Sequence, residues 1–332
     1  MAKAAPRKVV SRPVSFVLEH LVLAVMHSTA PGRAKNREML LEHAARTFDL
    51  KISSYAMPPN DTIKLMMAPF VNVRSLEMVV EADDLPILPC PEKLESLSVH
   101  RSYFKTVSNI KHYPNLRTLV LDTFYIRQDV DSFVHDKAAY LAMCGQLAHL
   151  RCFHCTESLA LDGSCPAHTD LFARFVQNNP LINDLGLAGC LSEEVVGILR
   201  ALPLRALSLR DGQIDQKIMP LLCLDTLEEL RLQDMEDINL TSLRNAPLRV
   251  LSLKGSKVNG RIIEVTRSMT KLEELNLRFC NLEDPVVSEL LKMAPQLKTL
   301  NLKSNEKISA EMRQKLRDAF GDRVLLSRSN FM

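Results

Sequence analysis

The sequence contains no tryptophan and only ten glycines, and aromatic residues make up 5% of its 332 residues. Phosphate-binding loops have little glycine to draw on, and none of the common nucleotide-binding, nucleophile-elbow or zinc-protease motifs occurs. An apolar run of the roughly 20 residues that span a bilayer is also missing, because the run from Phe16 to Met26 is interrupted by Glu19 and His20. The net charge of +3 is too small to indicate bulk nucleic-acid binding. We therefore expect no enzyme, no membrane span and no cofactor.

The eight cysteines and the N-terminal charges bear on the compartment. Most of the cysteines lie beside leucines, as reduced buried thiols do, and a secreted disulfide scaffold would be shorter and richer in cysteine. Residues 1–13 contain four basic residues and no acid, which predicts a flexible basic tail. A mitochondrial presequence has the same character, so mitochondria remain the less favoured alternative to cytoplasm or nucleus.

Four residues have the spacing of a zinc site. Cys152, Cys155, Cys165 and His168 follow a pattern that resembles a zinc ligand set. The repeat described next assigns Cys152 and Cys155 to inward-facing packing positions. We favour that interpretation and predict no metal site, while zinc at these four residues stays open.

An apolar triplet with the spacing L-x-x-L-x-L recurs from about residue 70 to the end of the chain. Seven of the nine intervals between successive triplets are 21 to 25 residues long, and the two longer ones mark insertions within residues 122–181. The clear triplets are Leu94/Leu97/Val99, Leu116/Leu119/Leu121, Leu204/Leu207/Leu209, Leu227/Leu230/Leu232, Leu248/Leu251/Leu253, Leu272/Leu275/Leu277 and Leu297/Leu300/Leu302. The weaker copies are Val73/Leu76/Met78, Leu147/Leu150/Cys152 and Ile182/Leu185/Leu187.

The triplet predicts a strand, because its last two apolar residues alternate with polar ones. Helix signals separate the strands: Ser192 before Glu193 is a capping serine, and Asp284 is followed by a proline that suits a first helical turn. One strand and one helix per repeat predict a curved α/β solenoid, with parallel strands on the concave side and helices on the convex side. Four residues that stand three positions after a triplet are predicted to bond turn backbone groups, namely Cys155, Cys190, Cys280 and Asn305.

The segment from Leu272 to Leu282 reads LEELNLRFCNL and resembles the leucine-rich-repeat superfamily, of the ribonuclease-inhibitor or cysteine-containing type. The resemblance covers about ten repeats over residues 70–305 and implies a non-enzymatic protein-binding solenoid. A solenoid needs caps at its ends. We expect a helical N-terminal cap at 14–55 and a C-terminal cap at 306–332, with a helix from Ala310 to about Phe320 that Gly321 ends.

The stretch from Phe16 to Met26 is apolar on nearly every side, which predicts a buried helix, placed at 14–29. The simplest interpretation is a cap on the first repeat. The segment from Leu18 to Met26 is also similar to the first helix of F-box and VHL-box motifs. Proteins that join such a box to leucine-rich repeats are substrate receptors of cullin-RING ubiquitin ligases. The resemblance implies Skp1 or elongin C as the adaptor, with a cullin, and assigns adaptor binding to Leu18, Leu21, Val22 and Val25.

Side chains that alternate with the buried leucines are predicted to face the concave side. One column of them reads Arg210, Gln233, Lys254, Arg278 and Lys303, and its equivalents in the N-terminal half are Val79, His100, Asp122, Phe153 and Ala188. Adjacent strands lie about 4.8 Å apart, so these charges raise a positive potential that an acidic protein segment would relieve. An ordinary solvated face is the alternative, and nucleic acid ranks third because interleaved aromatics are missing. The candidate partner-binding residues are Arg210, Arg231, Lys254, Arg278, Lys303, Asn276, Asn301, Glu229 and Glu274.

The sequence thus predicts a protein–protein interaction module that acts as the substrate-recognition subunit of a cullin-RING ubiquitin ligase. Its target would bind the concave face. The alternative is a scaffold or assembly factor, with mitochondria as one location, that uses the same face without an adaptor.

Overall fold

The computed structural model describes residues 14–18, 44, 46–54, 67–82, 84–104, 108–126, 142, 144–159, 161–212, 224–235, 240–244, 246–258, 260–293 and 295–326. The chain divides into two compact units. The first comprises Met1–Thr118 with Phe124–His135, and the second comprises Leu119–Thr123 with Asp136–Met332.

The first unit is built on parallel strands that follow one another in chain order. Its described strands are β1 (Val14–Leu18), β2 (Thr47–Ser54), β3 (Ser75–Ala82) and β4 (Ser96–Phe104). Each strand pairs with the next, so that Leu50 lies opposite Leu76 and Leu76 lies opposite Leu97. Strand β5 (Thr118–Ile126) contributes residues to both units.

The second unit repeats the same arrangement with helices between its strands. Its strands pair in parallel in the order β6 (Cys152–Ser158), β7 (Asp184–Ala188), β8 (Ala206–Arg210), β9 (Glu229–Gln233), β10 (Val250–Ser252), β11 (Glu274–Asn276), β12 (Thr299–Asn301) and β13 (Val324–Leu325). Its described α-helices are α1 (Pro166–Asn178), α2 (Glu193–Leu199), α3 (Gly260–Ser268), α4 (Asp284–Leu291) and α5 (Ala310–Phe320). Parallel neighbours need a crossover connection. These helices supply it between β6 and β8 and between β10 and β13, and a 3-10 helix (Leu240–Leu243) lies between β9 and β10. The predicted α/β architecture of parallel strands and helices is confirmed.

The apolar triplets form the core. Every residue of the seven clear triplets is at most 2% exposed, and so are those of the Val73 and Ile182 copies. Burial of a leucine side chain contributes about 1.5–3 kcal/mol. The recurring leucines therefore supply the main stabilising free energy of both units.

The helix boundaries follow the capping signals. The Ser192 hydroxyl accepts a hydrogen bond from the Val195 N–H at 3.3 Å, and the Ser309 hydroxyl accepts one from the Met312 N–H at 3.1 Å. Helix α5 ends at Gly321, whose φ of 57° lies in the left-handed region that glycine tolerates. The last strand, β13, then pairs with β12. The predicted C-terminal helix and final strand are both present.

The predicted helix over residues 14–29 is wrong for its first five residues. Val14–Leu18 is a strand, in which Leu18 lies opposite Ile52 of β2. An apolar run does not distinguish a buried strand from a buried helix, and the β-branched Val14 and Val17 favour the pleated conformation. The proposed adaptor residue Leu18 is therefore a strand residue. The other three, Leu21, Val22 and Val25, lie outside the described residues.

The parallel sheet also begins earlier than residue 70. Strand β2 lies inside the segment 14–55 that the sequence predicts to be a helical cap. Its Leu50 and Ile52 are buried and pair with Leu76 and Met78 of β3. Ala44 is helical and fully buried, and the rest of the predicted helical cap before β2, apart from β1 and Arg46, lies outside the described residues.

Strand β6 corrects the register of one repeat. Phe153, not Leu150, lies opposite Leu185 of β7, so the buried triplet is Leu150/Phe153/Cys155. The Phe153 ring packs 4.8 Å from the Phe175 ring of α1, centroid to centroid. Cys152 and Phe153 consequently exchange the positions predicted for them: Phe153 is in the core, and Cys152 is on the other face of the strand.

Asn179, just after α1, ties that helix to the loop before β6. It is fully buried, and its Oδ1 accepts a hydrogen bond from the Leu150 N–H at 3.0 Å. Its Nδ2 donates to the carbonyls of Leu147 and Phe175, both at 2.9 Å. One side chain therefore satisfies three backbone groups.

Replacing Asn179 with alanine should lower the free energy of unfolding by about 1–3 kcal/mol, because it leaves buried backbone groups without partners. The adjacent Asn178 is the matched control. It is exposed and makes a single bond, to the Gly145 carbonyl, so we expect Asn178→Ala to cost less than about 0.5 kcal/mol. Urea denaturation followed by circular dichroism measures both, and equal losses would refute the assignment.

Candidate partner-binding face

Side chains that alternate with the buried leucines of β6–β13 form what we term the open face of the second unit. The strand pairing aligns them in columns. The first column is Cys152, Asp184, Ala206, Glu229, Val250, Glu274 and Thr299. The second column is His154, Gly186, Ser208, Arg231, Ser252, Asn276 and Asn301. The third column, Arg210, Gln233, Lys254, Arg278 and Lys303, follows directly after the buried triplets.

All nine candidate partner-binding residues lie on the open face and are at least partly exposed. Two of them also shape the backbone: Asn276 Oδ1 accepts from the Arg278 N–H and Asn301 Oδ1 accepts from the Lys303 N–H, each at 3.1 Å. These two asparagines therefore hold the backbone at Arg278 and Lys303 in place.

Two of the predicted cations are neutralised within the fold. Arg210 Nε lies 2.9 Å from Asp211 Oδ2 and 3.9 Å from Asp234 Oδ2. Arg231 donates to the Glu229 carboxylate beside it. The positive potential predicted for this face is therefore reduced over β8 and β9.

The cations of β10–β12 have no such compensation. We term Lys254, Arg278 and Lys303 the basic patch. They occupy the equivalent position two residues after the end of three successive strands, and within the described part of the chain no acid lies within ion-pair distance of them. Three positive charges that follow neighbouring strands of one sheet raise the local electrostatic potential. A carboxylate-rich segment would lower it.

Phe279 adds an apolar element to the basic patch. Its side chain is 50% exposed, and its backbone φ of 61° is in the left-handed region, which is strained for a bulky residue. The Arg278 guanidinium lies 4.6 Å from the centre of the Phe279 ring, in a cation–π contact. The equivalent residues of the neighbouring repeats, Asp234, Gly255 and Ser304, also have a positive φ, so this conformation belongs to the repeat. What distinguishes Phe279 is its exposed aromatic ring beside the basic patch.

A separate row of charges lies just before the strands and is paired throughout. Arg249 bonds Glu273 at 2.9 Å and lies 3.8 Å from Glu228, and Lys298 lies 2.8 Å from Glu273. Hydrogen bonds from Lys298 and Arg249 hold the pKa of Glu273 below its usual value. Because this row is self-neutralised, it offers little to a charged partner.

A thiol, an imidazole and a carboxylate meet at the other end of the open face. His154 Nε2 lies 2.8 Å from Asp184 Oδ1, and Cys152 Sγ donates to Asp184 Oδ2 at 3.6 Å. All three residues are half-buried. They are the single group of three or more His, Cys, Asp or Glu side chains, among the described residues, with the spacing of a metal site.

The pKa values of this cluster follow from its packing. Burial, and after it the charge of Asp184 and the hydrogen bond to it, raises the pKa of the Cys152 thiol to about 12. Burial alone would also raise the pKa of Asp184, but the hydrogen bond from His154, with the charges of His154 and Arg231, lowers it below its ordinary value. Asp184 is therefore an anion that faces a protonated thiol.

Comparison with known structures identifies the architecture. A chain in the crystal structure of the Rad7–Elc1 complex of yeast is similar, with a TM-score of 0.51 and 17% sequence identity over 85% of this chain and 75% of that chain. The chain has the leucine-rich-repeat fold. An internalin from Listeria monocytogenes is also similar, at a TM-score of 0.43 and 16% identity over 84% of this chain and 72% of that one. No protein-family model matches the sequence, and no curated protein does.

The register of β6 within the repeat explains why the sequence analysis missed one cluster of functional side chains. The cluster of Cys152, His154 and Asp184 was not predicted, because Cys152 was assigned to the core. A signal was present in the alternative triplet Leu150/Phe153/Cys155, which places Cys152 and His154 on one face. The alternative zinc set suggested by spacing is not brought together: Cys155 is 1% exposed in the core, while Cys152 faces the opposite side of β6.

The turn roles predicted from the repeat are confirmed for two residues. Cys280 Sγ donates to the Leu253 carbonyl at 3.0 Å, and Asn305 Nδ2 donates to the Leu277 carbonyl at 2.8 Å. Burial raises the pKa of the Cys280 thiol to about 12, which suits a packing role. No helix in the described parts of the chain combines the length and apolar character needed to cross a bilayer.

Proposed function

We propose that the open face of the second unit binds an acidic segment of a protein partner, and that the chain forms and breaks no covalent bond itself. The basic patch carries this proposal: Lys254, Arg278 and Lys303 lie together, and no described acid pairs with them. The stacked pair of Arg278 and Phe279 adds two residue types that are enriched at protein interfaces. Repeat solenoids commonly bind their partners over extended surfaces of this kind.

We further propose that the chain is the substrate-recognition subunit of a cullin-RING ubiquitin ligase. In this arrangement the open face holds the target, and the segment that includes Leu21, Val22 and Val25 holds Skp1 or elongin C. Support comes from the similarity of this segment to adaptor-binding boxes. The yeast structure of similar fold also contains a complex, that of Rad7 with Elc1.

One observation favours the scaffold alternative. Leu18, the first residue of the proposed box, pairs with Ile52 in the sheet, so a box helix can begin only after it. A scaffold or assembly factor would use the open face in the same way and would bind no adaptor.

Affinity purification of the tagged full-length chain, followed by mass spectrometry, tests both proposals in one experiment. Arg278→Glu/Lys303→Glu should lose the target, by about tenfold or more in recovered amount, and should keep the adaptor. Leu21→Asp/Val25→Asp should lose Skp1 or elongin C and keep the target. We expect each variant to lose one partner and keep the other, because the two pairs of substitutions lie in different segments of the chain.

The control is a charge reversal away from the open face. Arg174 lies on α1 and Lys271 follows α3, and both are exposed, so Arg174→Glu/Lys271→Glu changes net charge by the same amount. If this variant loses the target equally, the basic patch is not the binding surface. If the wild-type chain recovers neither Skp1 nor elongin C, the ligase proposal fails and the scaffold remains.

A further inference from the structure

We propose that Cys152, His154 and Asp184 bind one zinc ion on the open face of the second unit. The site is separate from the basic patch and does not depend on the proposed partner. It also differs from the set of Cys152, Cys155, Cys165 and His168 suggested by sequence spacing.

The positions of the donor atoms fit a single ion. The thiol sulfur, one imidazole nitrogen and a carboxylate oxygen all lie within 4.8 Å of one another. Zinc bonds of about 2.0–2.3 Å in a tetrahedral arrangement place ligand atoms between about 3 and 4 Å apart. Only small side-chain rotations are therefore needed to enclose an ion. The ligands stand on the adjacent strands β6 and β7, which hold them more rigidly than loops would.

Gly186 provides the space that the imidazole occupies. A Cβ atom at this position would lie 2.8 Å from His154 Cγ and 2.8 Å from Nδ1, closer than real contacts allow. Gly186 is the direct partner of His154 across the two strands. Because it has no side chain, the ring lies close to the backbone of β7 and brings Nε2 to Asp184.

The charges around the cluster balance when a divalent cation binds. On binding, the cation displaces the Cys152 thiol proton to solvent, so that the thiolate and the Asp184 carboxylate supply two negative charges, and His154 binds metal as a neutral imidazole. The charge of Arg231 acts on both Cys152 and Asp184. Arg231 is itself paired with Glu229, which reduces its repulsion of a bound cation.

The mixture of donors points to zinc. Thiolate and imidazole are ligands that Zn²⁺ prefers, whereas Mg²⁺ and Ca²⁺ prefer oxygen atoms alone. Three protein ligands leave a fourth position for water or for a donor atom of a bound molecule. The three side chains are partly exposed, so solvent reaches the cluster.

Titration of the full-length, chelator-treated protein with Co²⁺ as an optical probe, and then with Zn²⁺, tests the proposal. The wild-type chain should bind one equivalent with the visible absorption of tetrahedral cobalt and a thiolate-to-cobalt band in the near ultraviolet, and zinc should displace it. Cys152→Ser should lose the thiolate band. His154→Ala and Asp184→Asn should each weaken binding at least about tenfold, since each removes one of three ligands.

Two further variants separate this site from others. Gly186→Ala substitutes none of the three ligand residues, but its methyl group would displace the His154 imidazole. It should therefore also weaken metal binding at least about tenfold. Cys165→Ser/His168→Ala should leave the spectrum unchanged. Absence of the cobalt bands in the wild-type chain would overturn the proposal, and so would bands that persist in both His154→Ala and Asp184→Asn.

Discussion

Truncating Leu300 to alanine should lower the free energy of unfolding by about 2–5 kcal/mol, the range for a leucine removed from a well-packed core. Leu300 is fully buried and occupies the centre of β12, where it lies opposite Leu275 of β11 and Val324 of β13. The cavity would therefore be bordered by two neighbouring repeats. Urea denaturation of the full-length chain, followed by circular dichroism, measures the change.

Leu181→Ala is the matched control. Leu181 is the same residue type in the same unit, but its side chain is 51% exposed, so its truncation should cost less than about 0.5 kcal/mol. If the two variants lose equal stability, the periodic leucines do not form the core. In a repeat protein each unit contacts only its neighbours, so we also expect hydrogen exchange in Leu300→Ala to rise mainly over β11–β13.

The sequence was a reliable guide wherever a local pattern decides the structure. The triplets from Leu204 to Leu302 repeat at nearly constant spacing, and their residues are all at most 2% exposed. Ser309 and Gly321 mark the ends of α5 because a cap depends on a few adjacent residues. Each repeat packs on the next one in the chain, so local spacing also sets the order of strands.

The register of β6 could not be obtained from spacing alone. Leu147/Leu150/Cys152 and Leu150/Phe153/Cys155 both satisfy the triplet pattern. The structure selects the second because Phe153 packs on Phe175 of α1, a contact between residues that lie 22 positions apart. The shift of three residues decides which side chains reach the open face, and it brings Cys152 and His154 to Asp184.

The ion pairs on the open face could also not be predicted from the sequence. The third column reads as basic, yet Arg210 is compensated by Asp211 and Asp234. Both aspartates have left-handed backbone conformations, with φ of 52° and 54°, which turn the chain directly after β8 and β9. The corresponding residue after β11 is Phe279, so Arg278 meets an aromatic ring where Arg210 meets a carboxylate.

Phe279→Gly should weaken target binding by about 30-fold or more, the loss of about 2 kcal/mol that defines an interface hot spot. The same substitution should stabilise the free chain by about 1 kcal/mol, because glycine relieves the strain of a left-handed φ of 61°. The two effects have opposite signs. A residue that served only the fold would lose stability and binding together. Urea denaturation and calorimetric titration with the target recovered by affinity purification measure them separately.

Asn281→Gly supplies the control for this prediction. Asn281 is two residues away, is exposed, and has a φ of 52° without an aromatic ring. Its replacement should relieve a smaller strain, since asparagine tolerates this region, and should leave binding unchanged. Phe279→Ala should keep the strain and lose the ring that stacks on Arg278, so binding should fall with no gain in stability. Unchanged affinity in Phe279→Gly would remove the ring from the interface and leave the basic patch to act through charge alone.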